Sequence, residues 1–289
     1  MITISRQVAR IVAARRTVEG GGFVVRRPFP TETMGEFDPF LLLDEMGPVD
    51  YAPGEAVGAP DHPHRGFETV TYLLAGEFEH ADSAGHRGAL KAGDVQWMTA
   101  GDGVVHSEMP SERIRRDGGR VHGFQLWVNL PARDKRMRPR YQEIASDSLP
   151  VARSDDGRAT IKVIAGDALG VAARIDTRTP LLYLDVTLQA GARLDLPVPP
   201  DFALAVYAFE GQAHVGEPAR DVTSGDFAML ADGDGVRLAS ERGARMLVLG
   251  GRPLREPVAR YGPFVMNTER EIHEAIADYR SGRFATIAR

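Results

Sequence analysis

The chain of 289 residues has no cysteine. That excludes disulfides, thiolate nucleophiles and cysteine-ligated zinc, so any metal must be held by histidine and carboxylate. No apolar run approaches the roughly 18 residues that would cross a bilayer. Met1 to Arg6 lacks the basic region, apolar stretch and small-residue cleavage site of a signal peptide. These absences predict a cytoplasmic protein with no membrane association. Basic residues do not outnumber acidic ones (35 against 40, net charge −5), which removes long-range attraction to nucleic acid. No direct nucleic-acid binding is expected. The glycine-rich stretches Gly20 to Gly22 and Gly101-Asp102-Gly103 are not followed by Lys-Ser/Thr and a helix, so a P-loop is unsupported. A Gly-x-Ser-x-Gly elbow is also missing, which weakens an acyl-transfer hydrolase.

Glycine and proline, in contrast, are plentiful, at 31 and 19 residues. A composition 43% hydrophobic and 26% charged belongs to a globular protein, and so many turn-formers point to short strands. Val8 to Ala13 and Phe23 to Val25 read as strands with the glycine turn Gly20 to Gly22 between them. Phe40 to Met46 reads as a buried strand. Thr69 to Leu74, Glu77 to His80, Val95 to Thr99, Val104 to Glu108 and Phe124 to Leu130 follow at intervals of roughly eight to twelve residues. With no long helix between them, they predict an all-β antiparallel barrel or sandwich.

The chemistry gathers in Asp61-His62-Pro63-His64-Arg65-Gly66-Phe67-Glu68 and, about forty residues later, His106-Ser107-Glu108. Histidines at i and i+2 share one face of a strand, and so do His106 and Glu108. Two such strand ends facing each other would bring three imidazoles and a carboxylate together. That donor set, with positions left open, suits iron, nickel, copper, manganese or zinc. His80, His86, His122, His214 and His273 lack a partner spacing and read as surface or hydrogen-bonded groups. Trp97 and Trp127 read as core rather than as a substrate platform.

Ala92 to Val104 aligns with Ser224 to Val236, glycine and aspartate turn residues recurring in step. This argues for two copies of one β fold. At the same offset His106 and Glu108 become Leu238 and Ser240, so only the first copy carries the donors. The expected division is 1–131 for the metal-bearing barrel, 132–141 for a linker, and 142–289 for a barrel without ligands. The basic run from Pro131 to Arg140 reads as solvated linker, with a patch for an acidic partner as the other reading. Thr268 with Glu271 predicts a capped helix near the end, presenting Ile272, Ile276 and Tyr279 on one face and stopping at Ser281-Gly282.

The stretches from His62 to Leu74, from Gly93 to Gly101 and from His106 to Pro110 resemble the pirin family of the cupin superfamily. So do Arg26 to Pro30, Asp38 to Glu45 and Gly262 to Thr268. The resemblance covers most of the chain. It implies two tandem cupin-type (jelly-roll) β-barrels with a short C-terminal helix and metal in the first barrel only. It also implies the ligands His62, His64, His106 and Glu108, with iron as the first candidate metal. Many cupins take their carboxylate four residues after the second histidine, which here is Glu68. Glu68 is therefore a rival ligand, or a support behind the ligands. The activity implied is a quercetin-type flavonol 2,3-dioxygenase, which opens the flavonol ring with dioxygen and releases carbon monoxide, with Glu108 as the base for the flavonol 3-hydroxyl. Its alternative is a metal- or redox-sensing regulator that binds transcription factors or metabolic enzymes. Pirins are commonly treated as monomers.

Overall fold

The computed structural model describes residues 2–287. As expected, the regular structure of the chain is mostly antiparallel β-strand. It forms two compact units, Met1–Ala14 with Ser148–Pro253 and Arg15–Asp147 with Leu254–Arg289.

This division differs from the one expected at 131–142, because each chain end completes the other copy. The strand Val8–Ala13 pairs with Asp226–Leu230, placing the first residues in the unit that lacks the histidine cluster. The Gly20 to Gly22 turn instead joins Arg15–Glu19 to Phe23–Phe29. At the other end, Arg65 and Val265 exchange backbone hydrogen bonds, Arg65 N–H to the Pro263 carbonyl and Val265 N–H to that of Arg65. An edge strand needs a partner, and the sequence alone does not say which sheet supplies it.

Nor is 132–141 a solvated linker. Ala132–Asp134 forms one 3₁₀ turn, and the strand Arg140–Ile144 pairs with Val95–Thr99. Lys135 is buried and donates to the Gly66 carbonyl (2.8 Å), Asn129 Oδ1 (2.6 Å) and the Val265 carbonyl (3.0 Å). Arg136 is ion-paired to Asp102 and Glu274. The basic run is thus divided between a buried tether and paired surface charge.

In the unit Arg15–Asp147 with Leu254–Arg289, one sheet runs in the order Ala59–His64, Val104–Pro110, Glu77–Asp82, Arg87–Lys91. The other has seven strands, with Phe67–Ala75 and Gly119–Asn129 at its centre. Apolar and polar side chains alternate along the central strands. Val70, Tyr72, Phe124 and Leu126 are fully buried on one side and Thr69, Thr71 and Gln125 lie on the other, the period-2 pattern that holds each register. Gly66 follows the histidine pair at φ 89°, and a Cβ there would lie 2.0 Å from the Val265 carbonyl oxygen, so only glycine fits.

The helix Glu269–Arg280 begins as the sequence indicates. Thr268 Oγ1 accepts from the Glu271 N–H (3.3 Å), and the Glu271 carboxylate accepts from Thr268 Oγ1 (2.8 Å). Ile272 is buried, while Tyr279 packs against Phe264 and Phe284. A short helix, Glu112–Asp117, was not anticipated. Its cap is Ser111, whose Oγ accepts from the Ile114 N–H.

Candidate metal centre

The strands Ala59–His64 and Val104–Pro110 run antiparallel with His62 opposite His106 and His64 opposite Val104. Because side chains alternate, His62 and His106 face each other while His64 points to the same side one step along. The ring centroids of His62, His64 and His106 lie 4.4 to 4.9 Å apart in pairs. One nitrogen from each ring falls within 4.8 Å of the other two.

The rings are also in the chemical state a metal needs. Burial pushes the pKa of His64 well down, aided by the neighbouring charges of His62 and Arg260 and opposed by the Pro263 carbonyl. Burial does the same to His106, reinforced by His62, His64 and His80. Both are therefore neutral imidazoles at pH 7, with lone pairs available for ligation. His62 Nδ1 lies 2.7 Å from the Pro60 carbonyl, which orients the ring and leaves its other nitrogen for a ligand. Nδ1 of His64 and both ring nitrogens of His106 are buried without a hydrogen-bond partner among the described residues. Buried polar atoms are normally satisfied, so unpartnered nitrogens on converging rings fit a bound transition metal.

Of the two carboxylates, Glu108 comes to the cluster and Glu68 is held by a different partner. Glu108 Oε2 is 4.0 Å from His106 Nε2. The Thr71 hydroxyl lies 2.6 Å from Glu108 Oε1 and 2.7 Å from Gln125 Oε1, with one proton to give. The Gln125 amide nitrogen donates to Glu108 Oε2 at 3.2 Å. Glu68, fully buried, accepts from Thr99 Oγ1 at 2.6 Å across the register pair Glu68–Thr99.

The site opens into a cavity of about 530 Å³. Leu42, Met46, Val49, Phe78 and Trp127 give it apolar walls, and His62, His64, Thr71, Glu108 and Gln125 also line it. Trp97 is core, as expected, whereas Trp127 is not only core. Its ring lies against His64 at 5.3 Å and forms part of the wall. Thr71, Gln125 and Trp127 were missed at sequence level. The signal was there in the strand period, since Gln125 and Trp127 share a face and Gln125 pairs with Thr71. The remaining histidines have structural partners or lie exposed. His80 is held by Gln96 and Glu143, His86 by Asp82, His122 by Glu45 and His214 by Asp221; His273 is exposed.

The profile of the Pirin family matches residues 22–128, and that of the pirin C-terminal cupin domain matches 183–285. Over 281 residues the chain is 42% identical to a pirin-like protein of Solanum lycopersicum, covering 96% of this chain and 92% of that one. Human Pirin is also 42% identical, over 284 residues, with coverage of 96% and 94%. A crystal structure of quercetin 2,3-dioxygenase from Acinetobacter baumannii superposes with a TM-score of 0.92 at 38% identity, covering 98% and 99% of the two chains. The Escherichia coli bacterial pirin YhhW, solved in complex with nickel(II), shares the fold at 17% identity and a TM-score of 0.67, over 84% and 99% of the chains. With two cupin-type barrels, three converging histidines in one of them, and both family profiles matched in order, the chain belongs to the pirin family.

Proposed function

We propose that the protein is a metal-dependent flavonol 2,3-dioxygenase of the quercetinase type, with one metal held by His62, His64, His106 and Glu108. The observation that carries this reading is the largely apolar cavity of about 530 Å³ opening onto three of those side chains, His62, His64 and Glu108, with His106 buried behind them. A volume of this size suits a small aromatic substrate, whereas a metal kept only for structure has no need of it. The similarity to the Acinetobacter baumannii quercetin 2,3-dioxygenase supports the same reading. Iron is the first candidate, with nickel, copper, manganese and zinc chemically admissible at this donor set.

When bound, the metal supplies Lewis acidity toward the flavonol 3-hydroxyl and a redox route to dioxygen. The chain does the rest. Glu108 takes the hydroxyl proton, and the Thr71 and Gln125 contacts keep its carboxylate aimed toward the histidines. The side chains of Leu42, Met46, Phe78 and Trp127 line the space for the substrate rings and exclude water. For the regulatory alternative the basic run 133–140 is the first surface to look to, and there Lys135 is buried and Arg136 is paired.

The test is turnover of quercetin under air by protein loaded separately with iron, nickel, copper and manganese, with His106→Ala as control. Metal-dependent loss of the flavonol absorbance, abolished in the variant, is the expected result. Protein that carries metal yet turns over no flavonol with any of the four overturns the dioxygenase reading.

A further inference from the structure

Two arginines reach the wall of the cavity, Arg27 and Arg260. They are used very differently. Arg27 donates through Nε and Nη2 to both oxygens of Asp44, at 2.7 and 2.6 Å, and Nη2 also lies 2.7 Å from Glu19. Its fork is fully matched by carboxylates. Arg65, buried nearby in sequence to the histidine pair, is equally committed, to Asp278 and to the carbonyl and carboxylate of Asp102.

Arg260 has no carboxylate within ion-pair distance among the described residues. It sits on the strand Ala259–Tyr261, and its Cζ lies 4.8 Å from the centroid of the Trp127 ring. Its one hydrogen bond is long, 3.5 Å from Nη1 to the Leu41 carbonyl. Burial lowers its pKa, while Glu36, Glu19 and Asp44 act on it through space and Arg27 repels it. A guanidinium stays charged regardless, and it offers five donors in a planar fork. The geometry therefore leaves a half-buried cation over an aromatic ring, with most of its donors unmatched at the wall of a cavity. Burying charge this way is costly unless a counter-charge completes it. Glu19 and Asp44 do not serve, since Arg27 already holds them, and Glu36, the acidic group that acts on Arg260 most strongly, is exposed and stays beyond ion-pair distance. Trp127, the ring beneath Arg260, is also the ring packed edge-on against His64, so the free donors stand one aromatic ring away from the metal centre.

We propose that Arg260 is the substrate-recognising cation of this cavity: it takes an anionic oxygen, phenolate or carboxylate, on a planar aromatic substrate whose reacting end lies at His62, His64 and His106. This deepens the dioxygenase reading and rests on the same cavity being the substrate site. It makes the substrate class an acidic aromatic rather than any flat apolar molecule. Arg260 is a specificity residue, and the stack on Trp127 is what gives its fork a fixed direction.

The experiment is equilibrium binding to the metal-loaded full chain under argon, read by quenching of tryptophan fluorescence. Two probe pairs are used: a flavone carboxylate with its methyl ester, and a polyhydroxylated flavonol with its fully O-methylated form. Wild type is expected to favour the acidic member of a pair by about ten- to a hundredfold, the range of one charge-assisted pairing. The pair that shows this preference tells carboxylate from phenolate. Arg260→Gln should erase it while leaving affinity for the neutral member unchanged, which also shows that the cavity is intact. Arg260→Lys should keep part of the preference, since the charge remains but the fork is gone. Three results overturn the proposal: no preference in wild type, a preference that survives Arg260→Gln because the metal alone holds the anion, or equal weakening of both members, which makes Arg260 mere packing on Trp127. Turnover is scored separately. Charge preference without turnover removes the dioxygenase and leaves Arg260 standing; turnover without charge preference does the reverse.

Discussion

The two copies of the fold have the same frame and opposite interiors. In one, His62 stands opposite His106 and His64 opposite Val104. In the other, the strands Ala192–Pro197 and Gly235–Ser240 keep that register with Leu194 opposite Leu238 and Leu196 opposite Val236. Those three leucines are buried in a continuous apolar core. Where Glu108 would stand, Ser240 donates to the Gln212 carbonyl and accepts from the Gly243 N–H, holding a turn. The contrast extends beyond the site. Among the described residues, the buried polar groups of the second copy's unit are Arg6, Thr179, Asp185 and Ser240. The other unit buries Asp44, Glu45, His64, Glu68, His80, Asp82, His106 and Lys135, among others. Its interior gives up apolar packing for polar groups that need partners, which is how functional sites commonly depart from a well-packed core.

Making the first copy like the second should have the largest effect. Replacing His62, His64 and His106 together by leucine is expected to lower metal content from about one per chain to below about a tenth, measured by elemental analysis after dialysis. Flavonol turnover should vanish, while circular dichroism keeps the strand signature. Full metal occupancy in that triple variant would mean the ligands lie elsewhere. The opposite graft, with Leu194, Leu196 and Leu238 all changed to histidine, should destabilise its unit by about 3–6 kcal/mol in urea, since imidazoles would replace tight apolar packing. Added zinc should not restore the loss, because the apolar packing around Leu194, Leu196 and Leu238 leaves no open position for an ion and its water. Recovery with zinc would show instead that the frame alone suffices to build a site.

Much of this contrast was legible in the sequence, and the illegible part has a physical pattern. Period-2 spacing placed His62 and His64 on one face and His106 and Glu108 on another, and the aligned glycines of Gly93-Asp94 and Gly225-Asp226 revealed the repeat. Such signals are local, because strand alternation and turn chemistry act over a few residues. The membership of the two units was not local. Nothing within Val8 to Ala13 says that it pairs with Asp226–Leu230, and nothing within Pro131 to Arg140 says that Lys135 will be met by three oxygens from distant segments. Arg260 was invisible for the same reason, its meaning lying in Trp127 and in the absence of a carboxylate. The Glu68 and Glu108 rivalry was likewise open at sequence level, and the register that gives Glu68 to Thr99 bears on it only in three dimensions.

Buried charge should also make the two units respond differently to pH. Burial pushes the pKa of Asp44 up to about 6 from 3.8, against the pull of its ion pair with Arg27. The folded state then holds this proton more tightly than the unfolded chain does. Its contribution to stability is largest below the unfolded pKa, falls as pH rises, and is flat above about 6. Between pH 4.5 and 7.5, wild type should therefore lose about 2 kcal/mol relative to Asp44→Asn in the transition of its unit. The transition of the other unit should show no difference between the two proteins. Urea unfolding at the two pH values measures both, and parallel behaviour of wild type and Asp44→Asn would remove Asp44 as a source of pH dependence.

The smallest expected effect tests whether the difference between Glu108 and Ser240 needs supporting residues. Thr71 is buried and matched in shape by valine, so Thr71→Val removes the hydroxyl 2.6 Å from Glu108 Oε1 with little change in packing. Gln125 still donates to the other oxygen, so the carboxylate keeps one of its two contacts. Loss of one hydrogen bond of about 1 kcal/mol should reduce kcat by roughly fivefold and leave KM for the flavonol nearly unchanged. Metal content should stay at about one per chain, since the three imidazoles are untouched. A drop in metal content instead would mean that Thr71 positions Glu108 as a ligand first and as a base second. Because the second copy has a serine engaged in its own turn at this point, that outcome would place the functional difference between the copies in the support of the carboxylate as much as in the histidines themselves.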